Sequence, residues 1–278
     1  MLQIREVPIG GGLRIRLHEA GRGPAVVMVH GAGAGASGAV HFRANIDAFV
    51  AAGRRVVIPD LLGFGDSSKP LGQPYTLARF TDTLAQALEA AAIGPADFFG
   101  NSLGGAVAID MATRHPGRVR RAVLLAPGAM ESGATYFALP GVKDMLGILA
   151  GGLSEEAMGR YLSLMVEDRE LITPDLVRAR LDFARRQPAE VLASLSLPDL
   201  TDRLPELRLP LLVVWGGADR ICPVSGALKF AQCCPDATVV IHSGTGHWPM
   251  LERADRVNED ALRFLADPAP DGSPPTGG

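Results

Sequence analysis

The chain has 278 residues, 47% of them hydrophobic, and a formal net charge of −3. That length can bury a large core, as one big domain or as one domain carrying an insertion. With 27 Lys and Arg against 30 Asp and Glu, the chain has no basic surface to offer nucleic acid, and its balance suits small-molecule partners.

The opening MLQIREVPIG carries Arg5 and Glu6 and no apolar run, so no secretory signal peptide is expected. LQIREV and LRIRLHE flank Gly10, Gly11 and Gly12 and predict a β-hairpin. Short apolar, β-branched runs then alternate with helical patterns. AVVMV (25–29), RVVIP (55–59), ADFFG (96–100), RAVLLAP (121–127), LLVVWG (211–216) and TVVIH (238–242) read as strands buried on both faces. FRANIDAFVAAG, LARFTDTLAQALEAAAI and GAVAIDMATRHP place apolar residues at helical spacing between them. The alternation predicts an α/β fold, a mostly parallel sheet with helices on both faces.

From 130 to 208 the pattern is helical throughout, with no convincing strand, and reads as an inserted helical cap; the plainer alternative is a run of ordinary packing helices. The division expected is a core over 1–129, the cap over 130–208, the rest of the core over 209–268, and a Pro/Gly/Ser-rich disordered tail over 269–278. No stretch has the uniform apolar length of a membrane span; GPAVVMVHGAGAGASGAVHF is broken by glycines and histidines. Cys222, Cys233 and Cys234 are odd in number and lack metal-ligand spacing, which points to a reduced, cytoplasmic setting.

The chemistry-bearing motif is DFFGNSLGGAVAI (97–109), in which Gly100-Asn101-Ser102-Leu103-Gly104 satisfies G-x-S-x-G between a predicted strand and a predicted helix. Such a turn strains the serine backbone and exposes its hydroxyl, and the glycines let strand and helix approach. In a chain with 33 glycines the motif alone is weak; its strand–helix context makes it specific. A serine needs a base to take its proton. Of the six histidines, His247 comes after the last strand on a Gly-marked loop at the carboxyl edge of the sheet, where ligands sit in open α/β sheets. His18, His115 and His242 read as hairpin, helix-end and strand-end residues, and His30 as loop architecture. The orienting acid should lie between serine and histidine in chain order. Asp219, directly after strand 211–216, fits best; Asp199, Asp202 and Asp236 are rivals. The glycine-rich loop VHGAGAGASG (29–38) can supply backbone donors at Ala32 or Gly33, which with Leu103 would form an oxyanion hole. It lacks the Lys and Ser/Thr of a phosphate loop, and no acidic ribose partner stands after it.

These pieces resemble the α/β-hydrolase superfamily over almost the whole chain. Within it, HGAGAGASG…FRANI, GNSLGG, LITPDLVRAR, WGGADRICP and GHW resemble the meta-cleavage product hydrolases, serine-dependent C–C hydrolases of aromatic and steroid ring degradation. The resemblance implies the α/β-hydrolase fold with its cap. It also implies Asn101 and Trp248 at the site, and Arg180 as the cap arginine that binds the substrate carboxylate, with Arg178, Arg185 and Arg186 as competitors. Gly33 and His41 join the substrate-binding set; a substrate-touching asparagine of the family falls at Val40 or His41, so the role of His41 departs from the pattern. The family's loop often carries glycine where Ala32 stands, and PGAM after Ala126 departs from its glycine-rich segment.

The function implied is cleavage of a vinylogous 1,5-diketone acid by Ser102, His247 and Asp219. The alternative is a carboxylester or lactone hydrolase using the same triad; a receptor that kept only the fold is a third reading. No metal or organic cofactor is called for. The resemblance is compatible with a homodimer or larger homo-oligomer.

Overall fold

A computed structural model describes residues 2–266; the expected disordered tail, 269–278, lies outside the described residues. The chain opens with an antiparallel hairpin of β1 (Gln3–Ile9) and β2 (Leu13–Ala20), turned by Gly10–Gly12 with Gly11 and Gly12 at positive φ. β3 (Ala25–Val29) leads through the glycine-rich loop to the short helices α1 (Gly38–His41) and α2 (Ile46–Ala51) and to β4 (Arg55–Pro59). After the two-residue strand β5 (Tyr75–Thr76) come α3 (Leu77–Ala90), β6 (Ala96–Asn101), α4 (Leu103–Arg114) and β7 (Val119–Leu125).

The insertion then begins: α5 (Gly133–Ala138), α6 (Pro140–Ala150), α7 (Glu155–Leu162), α8 (Pro174–Arg185), α9 (Ala189–Ala193) and the two-residue β8 (Leu195–Ser196). The alternation resumes with β9 (Leu211–Gly216), α10 (Ser225–Cys233), β10 (Ala237–His242), α11 (Pro249–Glu252) and α12 (Ala254–Ala266).

Eight strands form one sheet in the order β1-β2-β4-β3-β6-β7-β9-β10. β1, β2 and β4 meet antiparallel, and every pairing from β4 across to β10 is parallel. β6 and β9 are buried at every position, as strands covered on both faces must be. Helices α3, α4 and α10 pack on the sheet, and α2 and α12 pack on each other against β4 and β9. The chain leaves β3 toward β4 on one side and reaches β6 on the other, so the strand order reverses between β3 and β6. The loops leaving their carboxyl ends flank the crevice such a reversal creates. Those loops carry Ala32 and Ser102.

Two expectations are corrected. The segment 130–208 is not free of strand: Leu195–Ser196 pairs in parallel with Tyr75–Thr76, tying the insertion to the approach of α3. The pattern FRANIDAFVAAG yields helix only from Ile46 to Ala51, because Gly38–His41 forms a separate turn of helix before it. Within the insertion, side-chain caps fix the helix starts: Ser154 accepts from the Ala157 N–H, and Thr173 accepts from the Leu176 N–H with Pro174 at the first helical position. Each cap contributes about 1 kcal/mol. No helix among the described residues is long and apolar enough to cross a membrane.

Candidate active site

Ser102 sits between β6 and α4 with φ 54° and ψ −116°, a conformation that costs a non-glycine residue about 1–3 kcal/mol. The surroundings hold it there. The Ser102 N–H donates to the Leu125 oxygen at 3.0 Å, and its carbonyl accepts from Gly128 at 2.9 Å and from Ala106 at 3.1 Å. Gly104 permits the bend, since a Cβ there would overlap the Val29 carbonyl. Gly100 is equally confined, facing the Gly104 carbonyl across the turn. The glycines of the motif are therefore packing requirements that let the first turn of α4 lie against β3 and β6.

Asp219 and His247 come from the loops after β9 and β10. His247 Nδ1 is 2.8 Å from Asp219 Oδ2, and both side chains are almost wholly buried. The other carboxylate oxygen, Oδ1, accepts from the Ile221 N–H at 2.8 Å and the Cys222 N–H at 2.9 Å. With Nδ1–H donated to the carboxylate, Nε2 is the basic nitrogen, and among the described residues it has no protein partner. Ser102 and His247 line the same cavity. The Cys222 thiol shares the cavity wall with Ser102, and its pKa is raised well above normal, chiefly by burial.

The cavity lies between the carboxyl edge of the sheet and the inserted helices. It has two compartments that share Ala32, Ser102, Tyr136, Phe137 and Leu195. One holds His247, Asn101, Gly33, Tyr161 and Trp248; the other holds Leu103, Met130, Trp215 and Cys222. Ala32 and Leu103, the expected oxyanion donors, both line the cavity beside Ser102. Among the described residues neither backbone N–H is spent on a protein acceptor, which leaves one donor free on the glycine-rich loop and one at the start of α4.

Arg180 belongs to α8 and is fully buried. Its Cζ stacks 5.5 Å from the Trp248 ring centre, and its guanidinium lies beside the Tyr161 hydroxyl, which also meets the Ala34 N–H. Nε and Nη2 have no hydrogen-bond partner. No acidic residue pairs with it among the described residues. Burial lowers its pKa from the ordinary value, with Tyr161 opposing, but a guanidinium stays charged at neutral pH. The glycine loop is shaped to this arginine: a Cβ on Gly33 would overlap the Tyr161 hydroxyl, and one on Gly35 would overlap the Arg180 carbonyl. The competitors are differently placed: Arg178 pairs with Asp175, and Arg186 with Asp66 and Asp182 on exposed surface.

His41 and Asn101, expected to touch substrate, are joined to each other. His41 Nε2 donates to Asn101 Oδ1 at 2.9 Å, while Asn101 Nδ2 donates to the Leu125 oxygen at 2.9 Å and the His247 oxygen at 3.2 Å. Both amide protons of Asn101 are thus committed, and it brackets the end of β6 to the loop of His247. Burial and the nearby Arg180 charge hold His41 well below its ordinary pKa, so its ring is neutral. His30 is loop architecture: Nδ1 donates to the Gly31 oxygen and Nε2 accepts from the Leu61 N–H.

The places of Tyr161, Cys222 and Glu252 at the site went unread in the sequence. Glu252 Oε2 accepts from the Gly246 N–H and Oε1 from Glu167 and Asp168, clamping the His247 loop to the insertion; the Trp248 N–H reinforces this by donating to the Met165 oxygen. Only Cys222 had a readable signal, three residues after Asp219 in a tight turn. Among the described residues no group of three or more His, Cys, Asp or Glu is arranged to hold a metal.

A sequence profile for the alpha/beta hydrolase fold matches residues 24–254. A 2-hydroxy-6-oxo-6-phenylhexa-2,4-dienoate hydrolase of Burkholderia cepacia is 34% identical, covering 91% of this chain and 92% of its own. A 2-hydroxy-6-oxononadienedioate/2-hydroxy-6-oxononatrienedioate hydrolase of Comamonas testosteroni is 33% identical, over 91% of this chain and 92% of its own. Among solved structures, the meta-cleavage product hydrolase of Pseudomonas fluorescens IP01 superposes with a TM-score of 0.81 at 26% identity, covering 95% of this chain and 97% of that one.

Proposed function

The chain belongs to the α/β-hydrolase fold family and, within it, to the meta-cleavage product hydrolases, and we propose that it cleaves a carbon–carbon bond in a vinylogous 1,5-diketone acid through Ser102, His247 and Asp219. The observation that carries the reading is the buried, unpaired guanidinium of Arg180. Leaving such a cation without an anion costs several kcal/mol, a cost that makes sense if a substrate carboxylate completes the pair. Esters in general carry no such group, so the alternative of a plain carboxylester or lactone hydrolase leaves Arg180 without a purpose.

In this reading the acid end of the dienol enters the compartment of Tyr161, Trp248 and Gly33, with its carboxylate on Nε and Nη2 of Arg180. Ketonisation of the dienol creates a carbonyl that can accept an electron pair. Ser102 turns its hydroxyl toward His247 Nε2, gives up its proton there, and adds to the distal carbonyl. The Ala32 and Leu103 N–H groups stabilise the oxyanion. As that oxyanion collapses, the C–C bond breaks, its electron pair passes into the dienolate, and His247 returns the proton. Water activated by His247 then hydrolyses the acyl-enzyme, releasing a carboxylic acid. Asn101 and His41 act as positioning groups that hold the serine and histidine loops together. The helices of the insertion act as a cap that closes over the acid.

The test compares kcat/KM for coloured dienolates with that for neutral aryl esters of the same acyl group. Dienolates should win by orders of magnitude; esters winning would favour the alternative.

A further inference from the structure

Tyr161 stands near the end of α7, is 1% exposed, and lines the same compartment as Gly33, His247 and Trp248. Its hydroxyl reaches the glycine-rich loop so closely that a Cβ on Gly33 would overlap it. Two groups meet the phenol oxygen, the Ala34 N–H and the Arg180 guanidinium, and both can only donate. The oxygen accepts from that side, so the phenol proton has to point elsewhere. Burial raises the Tyr161 pKa above its ordinary value, with Arg180 opposing, and the proton stays on at neutral pH. Among the described residues no acceptor takes it. A donor left unsatisfied in a buried wall is costly, and an acceptor on a ligand would remove that cost.

Resting on the C–C hydrolase reading, we propose that Tyr161 is a specificity-determining residue whose phenol O–H donates to the substrate carboxylate beside Arg180. The guanidinium edge of Nε and Nη2 lacks partners and matches one lone pair on each carboxylate oxygen. Each oxygen keeps further acceptor capacity, and the phenol proton takes it up. The acid is thereby gripped from α7 and α8 at once. A carboxylate accepts from all these donors, whereas a primary amide of the same shape turns its own NH2 toward them. Tyr161 thus adds to the charge of Arg180 a directional test for an acceptor-only group.

The experiment compares wild type with Tyr161→Phe, using 2-oxopentanoate as a binding probe in calorimetry and coloured dienolates and neutral aryl esters as substrates. The variant should bind 2-oxopentanoate roughly 10-fold or more weakly, and KM for dienolates should rise by the same factor. Its kcat for dienolates and its kcat/KM for esters should stay within about twofold of wild type. A phenol that merely props the Gly33–Ala34 turn would instead disturb the neighbouring Ala32 donor and lower ester turnover as well. A second readout needs no change at position 161. In wild type labelled with ¹³Cζ-tyrosine, the Tyr161 signal, assigned by elimination with Tyr75→Phe and Tyr136→Phe, should move downfield on saturation with 2-oxopentanoate. Unchanged probe affinity in Tyr161→Phe, losses shared equally by esters, or a Tyr161 signal indifferent to the probe overturns the proposal. Dienolates cleaved by wild type and variant with the same KM would sink this inference and leave the C–C reading standing. Dienolates inert in wild type, with probe binding that still depends on Tyr161, would do the reverse.

Discussion

His247 Nδ1 lies 2.8 Å from Asp219 Oδ2, while the other oxygen of that carboxylate is fixed by the Ile221 and Cys222 N–H groups. The acid is thus a rigid acceptor that sets the tautomer and aims Nε2 away from itself. In Asp219→Asn the amide cannot accept the Nδ1 proton and also satisfy the same two backbone N–H groups, so the imidazole is left in the wrong tautomer. We expect kcat to fall about 10³- to 10⁴-fold with little change in KM. Steady-state kinetics at neutral pH checks this.

Arg180 should trade stability for affinity. Arg180→Met keeps much of the volume and removes an ion whose Nε and Nη2 lack partners. Its melting temperature should rise above that of wild type, whereas kcat/KM for carboxylate-bearing dienolates should fall roughly 10²-fold or more. Neutral aryl esters should lose far less. Calorimetry and kinetics on the same preparation test both halves; a lower melting temperature together with unchanged dienolate turnover would remove the basis of the proposed function.

Much of the candidate centre was legible in the sequence because its members sit at the carboxyl ends of strands. Ser102, Asp219 and His247 each lie just past an apolar β-branched run, and a parallel sheet aligns those ends. The links that make the site rigid have no such local signature. Asn101 bonds to Leu125 and His247, 24 and 146 residues away, and nothing near Asn101 encodes either partner. The pairing of Tyr75–Thr76 with Leu195–Ser196 is too short for any periodicity. Nor could spacing reveal that His41 donates to Asn101, because that bond depends on the turn of α1.

Acid should destabilise the fold through buried histidines. Burial lowers the pKa of His30 and His41 below 6.5, with Arg180 adding to the effect at His41. Below about pH 6.5 the unfolded chain takes up protons on these rings and the folded chain does not. Stability should therefore be insensitive to these groups above that pH and decline as the pH falls toward 5. The slope per silent ring is at most about 1.4 kcal/mol per pH unit. His41→Gln keeps a donor for Asn101 Oδ1 and removes one titration, so urea unfolding between about pH 5 and about pH 7.5 should show a shallower decline than wild type.

Gly35 offers a test of how the loop and the arginine are coupled. Its φ is +66°, and a Cβ there would overlap the Arg180 carbonyl and crowd the Ala184 N–H. Gly35→Ala must push α8 outward, carrying the guanidinium away from the Gly33 face of the cavity. The displacement should lower kcat/KM for acid-bearing substrates roughly 10- to 100-fold, mainly through KM, while Asp219 and His247, on other loops, keep their geometry. In the double variant with Arg180→Met, most of that loss should vanish, because the group being misplaced is already gone. A double-mutant cycle in which the two losses simply add would mean that Gly35 acts on the site through some route other than Arg180.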